Sequence, residues 1–246
     1  MKDDKPAAAF STTQWTVVLS ARAADGEASW QALRQLCQTY WAPLYAFLRR
    51  QGCSPADAED FVQGFFEKLL ASGALASVAR DKGRFRSFLL KALQHHVANT
   101  QRNRRAQRRG GTAEHLSLND DAALDRCEES LKTAAPPETV FDRVWARTVI
   151  SNAARDLRLD YEESGRGPLF EVLGRWLATE ARAGEYAVYA PGLGLSEAAL
   201  AAVVFRMRRR FREIVRAHVA QTVLSPADID DEMNYLLRIL IETAET

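Results

Sequence analysis

The chain has 246 residues, is 47% hydrophobic and 26% charged, and carries a net charge of only +1. Its size allows one large domain or two small ones with a packed core. No apolar run approaches the ~20 residues of a membrane span, and Met1-Lys2-Asp3-Asp4-Lys5 lacks the apolar stretch of a signal peptide, so a cytoplasmic protein without a membrane partner is expected. Three scattered cysteines, Cys37, Cys53 and Cys127, have no metal-ligand spacing and read as reduced thiols.

In chain order, nearly every periodic segment has the helical period. Thr12 or Thr13 can cap a short helix carrying Trp15, Val18 and Leu19 within an N-terminal segment 1–27. Trp30, Leu33 and Leu36 predict a helix over Ser29 to Tyr40, and Pro43 is expected to open the next, with Leu44, Phe47 and Leu48. Ser54-Pro55-Ala56-Asp57 is a helix start: a capping hydroxyl, Pro at the first helical position, then an acid in the first turn. Ala58, Phe61, Val62, Phe65, Phe66, Leu69 and Leu70 follow at i, i+3, i+4 spacing, and Ser72-Gly73 ends the helix. Phe85, Phe88, Leu89, Ala92, Leu93, His96 and Val97 mark another helix, which runs on into an arginine strip and stops at Gly110-Gly111.

Residues 112–137 sustain no apolar stripe and gather Asp120, Asp121, Asp125, Glu128 and Glu129 before Pro136-Pro137, so they are expected to form an acidic linker. Helical pattern returns at Val140, Phe141, Val144, Trp145, Thr148 and Val149 and continues to about Tyr161; Gly165-Arg166-Gly167 is a turn, and Pro168 opens a helix with Phe170, Leu173, Trp176 and Leu177. Glu185 to Ala190 is a short helix, Pro191-Gly192-Leu193-Gly194-Leu195 a turn in which Gly192 and Gly194 are expected to supply positive φ, and Ser196 the cap of a long helix to about Val223. Ser225-Pro226 starts a last amphipathic helix with Ile229, Met233, Leu236, Leu237 and Leu240. The predicted class is all-α: a helical domain 28–111, the linker, a second domain 138–224 containing a helix-turn-helix, and a C-terminal helix 225–246.

Basic charge is concentrated in two strips. Arg80 to Arg109 holds ten Lys/Arg against one acid, Asp81; Arg206 to Arg216 holds six Arg against Glu213. Two basic strips on helices in a nearly neutral chain predict a ligand with phosphates along its length, a nucleic acid. In the first strip His95, His96, Asn99 and Gln101 add base-edge donors and acceptors. Because His96 lies on the apolar stripe, it also reads as a core histidine. In the second strip Arg206, Arg208, Arg209, Arg210 and Arg212 circle the helix, so only some can face DNA; a solvated helix face is the alternative. The acids Asp228, Asp230, Asp231 and Glu232 predict a C-terminal cover over this second strip. Four histidines without metal-ligand spacing, no glycine-rich phosphate loop and no carboxylate trio argue against an enzyme, and no cofactor or metal is expected.

The order Tyr40-Trp41-Ala42-Pro43-Leu44-Tyr45, Asp57-Ala58-Glu59-Asp60-Phe61-Val62-Gln63-Gly64-Phe65-Phe66, Arg84-Phe85-Arg86-Ser87-Phe88-Leu89-Leu90, and then the C-terminal helix-turn-helix resembles bacterial RNA polymerase sigma factors of the compact extracytoplasmic-function type. Phe10-Ser11-Thr12-Thr13-Gln14-Trp15 and Ala220-Gln221-Thr222-Val223 look like a divergent sigma-like branch. The resemblance covers most of residues 10–225. It implies that Asp57, Asp60, Gln63 and Phe66 grip core RNA polymerase. It also implies that Arg84, Arg86, Lys91, His95, Asn99, Arg102 and Arg105 meet the downstream promoter element. Ser196, Ala201, Phe205, Arg206, Arg208, Arg209 and Arg210 would meet the upstream element. An anti-sigma factor is a further implied partner. Early in the predicted recognition helix, Glu197, Ala198, Ala199, Leu200, Ala201 and Ala202 replace the polar or basic residues usual in the family, so a sigma-derived DNA-binding or scaffold protein that does not serve the polymerase is the alternative.

Overall fold

A computed structural model describes residues 26–72, 85–106, 131, 134–223 and 225–244. The predicted Trp15 helix, most of the acidic linker, Gly110-Gly111, Cys127 and Arg84 lie outside the described residues. The protein is all-helical, and no strand occurs among the described residues. No helix among them is long and apolar enough to cross a membrane.

Helix α1 spans Gly26–Arg50 without interruption. Pro43 therefore does not open a new helix, as the sequence reading expected; it sits inside α1. A mid-helix proline removes one backbone bond and crowds the preceding turn. Here the cost is offset by burial, because Tyr40, Leu44, Tyr45, Phe47 and Leu48 around it are all within the core. Gly52, with φ of 91°, ends the helix in a Schellman turn: Cys53 N–H donates to the Leu48 carbonyl and Gly52 N–H to Arg49.

Helix α2, Pro55–Ser72, begins as expected. The Ser54 hydroxyl oxygen accepts from Asp57 N–H at 3.1 Å while its proton goes to Asp57 Oδ2 at 2.7 Å, which satisfies an orphan donor at the helix start. Ala58, Phe61, Val62, Phe65, Phe66 and Leu69 then form its buried line. Helix α3, Phe85–Ala106, buries Phe85, Leu89 and Leu93 against α2 and its neighbours.

Helix α4, Pro137–Glu163, is followed by α5 at Gly167–Leu173 and a 3-10 turn at Gly174–Trp176. Short helix α6, Glu185–Tyr189, leads through a second 3-10 turn, Pro191–Leu193, to the long α7, Glu197–Ala220. Gly194 has φ of 65° and closes that turn, but Gly192 lies within the 3-10 helix and does not have positive φ, contrary to expectation. The Ser196 hydroxyl accepts from Ala199 N–H at 3.2 Å and caps α7. After a 3-10 turn at Pro226–Asp228, in which Ser225 accepts from Ala227 N–H, α8 runs over Ile229–Ala244.

The chain divides into two compact units, and the boundaries differ from those the sequence predicts. The described residues up to Ala146 together with those from Ala220 onward form the front unit; Arg147–Val219 form the second. The start of α4 belongs to the front unit because Val140, Phe141, Val144 and Trp145 are buried there beside Arg86 of α3. Helix α8 belongs to it too, burying Leu236 and Ile239. The second unit is built on Ala153, Leu157, Tyr161, Leu173, Trp176, Leu200, Val204 and Met207. Trp176 anchors it, with the rings of Tyr186 and Tyr189 set edge-on at 5.0 and 5.4 Å.

Candidate nucleic-acid interface

In the front unit, the period of α3 sorts its polar residues into two lines. Lys91, His95, Asn99 and Arg102 are all exposed and recur at i, i+4, i+8 and i+11, so they share one face of the helix. This stripe combines two cations with an imidazole and an amide. The cations can neutralise phosphates, and the imidazole and amide can donate to or accept from base edges. His96, one residue on, turns inward. Its ring meets Phe65 edge-on at 6.0 Å, and a Cβ at Gly64 would lie 3.5 Å from its Nε2. Burial, and secondarily the Lys68 ammonium, pull its pKa below the usual histidine value, so the ring is held neutral. Of the two readings offered by the sequence for His96, the core histidine fits this position. Arg105 lies in the last turn of α3, and its side chain is outside the described residues.

Arg86 departs from its predicted role. It is only 5% exposed, in contrast to a DNA-contacting side chain. Its guanidinium pairs with Glu232 of α8, itself 3% exposed, and lies 3.4 Å from Asp142 of α4. It also lies 3.8 Å from the ring centre of Tyr235 and 5.0 Å from that of Trp145. The Tyr235 hydroxyl donates to Asp142 at 2.6 Å and closes the cage. The reason is register: Arg86 adjoins Phe85 at the start of the buried line of α3, so its charge is desolvated and needs partners. Of the C-terminal acids expected to cover the second strip, Glu232 instead pairs with Arg86 of the front unit.

The group predicted to meet the polymerase is also only partly available. Asp57 is exposed and Asp60 and Gln63 are partly so, whereas Phe66 is 2% exposed and packs beside Phe65 within the core. Phe66 is thus a core residue rather than a surface anchor. Gln63 donates to Glu67 at 3.1 Å, one turn on. Sequence reasoning missed Arg104, which continues the inner line of α3 past the end of its core. It lies 3.4 Å from both Asp57 and Asp60, with its guanidinium 5.1 Å from the Phe61 ring. The available signal was its i+4 offset from Thr100 and i+11 from Leu93, which aims it at the start of α2.

In the second unit, the solvent face of α7 runs Ala198, Ala202, Phe205, Arg209, Arg212, Arg216, at alternating four- and three-residue steps, with Arg206 exposed beside it. Its first half is apolar and its second half basic. Phe205 is 63% exposed, and Ala201 is half-buried at the edge of the face. Ser196 caps the helix. Arg208 departs from its predicted role, because its guanidinium turns back to donate to the carbonyls of Trp176 at 2.7 Å and Thr179 at 2.5 Å. Arg210 pairs with Asp160 of α4 at 2.7 Å, and Arg209 with Glu213 at 3.2 Å. Arg209 and Arg210 remain more than half exposed, and such pairs yield easily to a phosphate.

The two described cysteines are not poised for chemistry. Burial pushes the Cys37 thiol up to about 12, and burial, with Asp57 nearby, also raises that of Cys53.

No protein-family model matches the chain, and no curated protein and no solved structure matches it.

Proposed function

We propose that this protein is a sigma-like transcription initiation factor. It binds core RNA polymerase through α2 and lays α3 and α7 on promoter DNA, with α6, the glycine-bearing turn and α7 acting as a helix-turn-helix. It has no chemistry of its own; the polymerase supplies the metal ions. The observation that carries this reading is the single exposed stripe Lys91, His95, Asn99 and Arg102, which offers phosphate contacts and base-edge groups on one helix face. Support also comes from the exposed Arg206, Arg209, Arg212 and Arg216 of α7. The polymerase-facing set reduces to Asp57, Asp60 and Gln63, and the DNA-facing sets lose Arg86 and Arg208. Promoter-dependent run-off transcription with core polymerase is the test. A transcript with a defined start is expected, and failure to retain core polymerase in a pull-down would overturn the reading.

A second reading is favoured by Phe205 and Val188, which are 63% and 75% exposed, and by the exposed Ala198 and Ala202. An apolar leading half of α7 suits contact with a protein better than with base edges. On this reading the chain is a sigma-derived DNA-binding or scaffold protein, or α7 meets an anti-sigma factor. DNA binding without core-polymerase binding would single it out.

A further inference from the structure

Helices α7 and α8 present exposed lines whose chemistry runs in opposite order along the chain. On α7 the line is apolar and then basic: Ala202 and Phe205 lead to Arg209 and Arg212. On α8 it is polar and then apolar: Asp230 and Asn234, with Asp231 beside them, lead to Leu237 and Ile241. Phe205, Leu237 and Ile241 are 63%, 51% and 61% exposed. A single exposed apolar side chain is ordinary, but Leu237 and Ile241 lie one turn apart on one line. Each helix is held by its other face, α7 through Leu200, Val204 and Met207, and α8 through Leu236 and Ile239, so both lines are carried on fixed backbone. Set antiparallel, the two lines match. Ala202 comes level with Ile241, Phe205 with Leu237, Arg209 with Asn234 and Arg212 with Asp230. At about 1.5 Å of rise per residue the two ladders stay in step to within about 1.5 Å over these levels.

We infer that the exposed face of α7 takes α8 of a second copy of this chain, so that the protein self-associates. The occupant follows from the order of chemistry along the face. A polyanion meets the arginines and leaves Phe205 in water, and a purely apolar surface covers Phe205 and leaves the arginines without countercharge. A helix that is acidic at one end and apolar at the other satisfies the whole line, and α8 is such a helix. Both lines are exposed within the chain, so a second copy supplies each with its complement. The contact joins two different faces and is heterologous. Its apolar centre supplies affinity, while the Arg212 and Asp230 level fixes the antiparallel direction. The patch is small and its ion pairs are exposed, which places the association in the micromolar range. The inference goes beyond the proposed function and does not rest on it.

The test is sedimentation equilibrium of the full chain, without DNA or polymerase, over about 5 to 200 μM in about 50 mM salt. The parent is expected to exceed the mass of one chain as concentration rises. Phe205→Asp and Leu237→Asp change exposed positions and leave the fold in place, which circular dichroism checks. Each alone is expected to weaken self-association about tenfold or more. Each spoils a different face, so an equimolar mixture of the two, with one intact α7 face and one intact α8 face, is expected to regain part of the association. Asp230→Arg is expected to weaken it by about two- to fivefold, and adding Arg212→Asp to recover the loss. A parent that stays monomeric throughout overturns the inference and leaves the proposed function standing. Association that survives in one of the two aspartate variants means that like faces pair, α7 with α7 or α8 with α8, and overturns it as well. A mixture of the two variants that stays monomeric does the same.

Discussion

Arg86 of the front unit and Arg209 of the second unit sit on helices with similar basic content, yet they meet opposite environments. Arg86 adjoins the apolar line of α3 and is enclosed by Glu232, Asp142, Tyr235 and Trp145. Arg209 lies on the solvent line of α7 and reaches only Glu213, one turn away. A few residues of register, not the density of arginine in the sequence, decide whether a cation holds the fold together or is offered to a ligand. A buried cation requires partners and tolerates no single loss, whereas an exposed one is interchangeable and screened by salt.

This contrast can be broken or sharpened by substitution. The largest effect is expected at the cage: Arg86→Met should destabilise the front unit by about 3–5 kcal/mol, because it leaves the buried Glu232 carboxylate without its guanidinium, and Glu232→Leu should cost less, because Arg86 keeps Asp142. Combining them should recover most of the loss, and urea unfolding followed by circular dichroism measures both. If the two single losses simply added in the double variant, the cage would not be a coupled unit. Arg208→Ala should cost about 1–2 kcal/mol in the same assay, since the charged donor to the Trp176 and Thr179 carbonyls disappears. Arg209→Ala should leave stability within about 0.5 kcal/mol. It should weaken binding to all DNA sequences alike, with a salt slope reduced by about 0.9 at most in a fluorescence titration. A loss confined to one sequence would give Arg209 a base-reading role and remove it from the phosphate side of the comparison.

The smallest effect concerns His96. Its folded pKa is lowered by burial, so the unfolded chain binds the proton more readily, and stability is full above the unfolded value of about 6.5 and falls as pH drops below it. Melting temperatures from pH 7.5 to 5.5, all approximate settings around that value, should show this slope in the parent. His96→Gln should flatten it.

Local signals were the readable part of this chain. Ser54-Pro55, Ser196 and Ser225-Pro226 each mark a helix or 3-10 start, and the capping hydroxyl of each accepts a backbone N–H. The i, i+3, i+4 line of α2 also appears where the periodicity put it. Pro43 misled because its local penalty is overridden by packing around Leu44 and Phe47. Of the site residues, Lys91, His95, Asn99 and Arg102 were readable together because one helix period relates them. Arg86 was not, since its partner Glu232 is 146 residues away and no local rule pairs them. Among the acids of the last helix, Glu232 is seen against a basic group, Arg86, and that partner could not be chosen from spacing alone. Phe66 was assigned both to the buried line and to the surface, and periodicity was the better guide.

That 146-residue separation has a consequence for biosynthesis. Chains emerge from the ribosome amino end first. The second unit is encoded between the two parts of the front one, so it is complete before its predecessor can close. Until Glu232 and Tyr235 emerge, the nascent front unit carries the Arg86 cation without its cover, and a message interrupted within α8 would yield a product vulnerable to proteases despite an intact remainder.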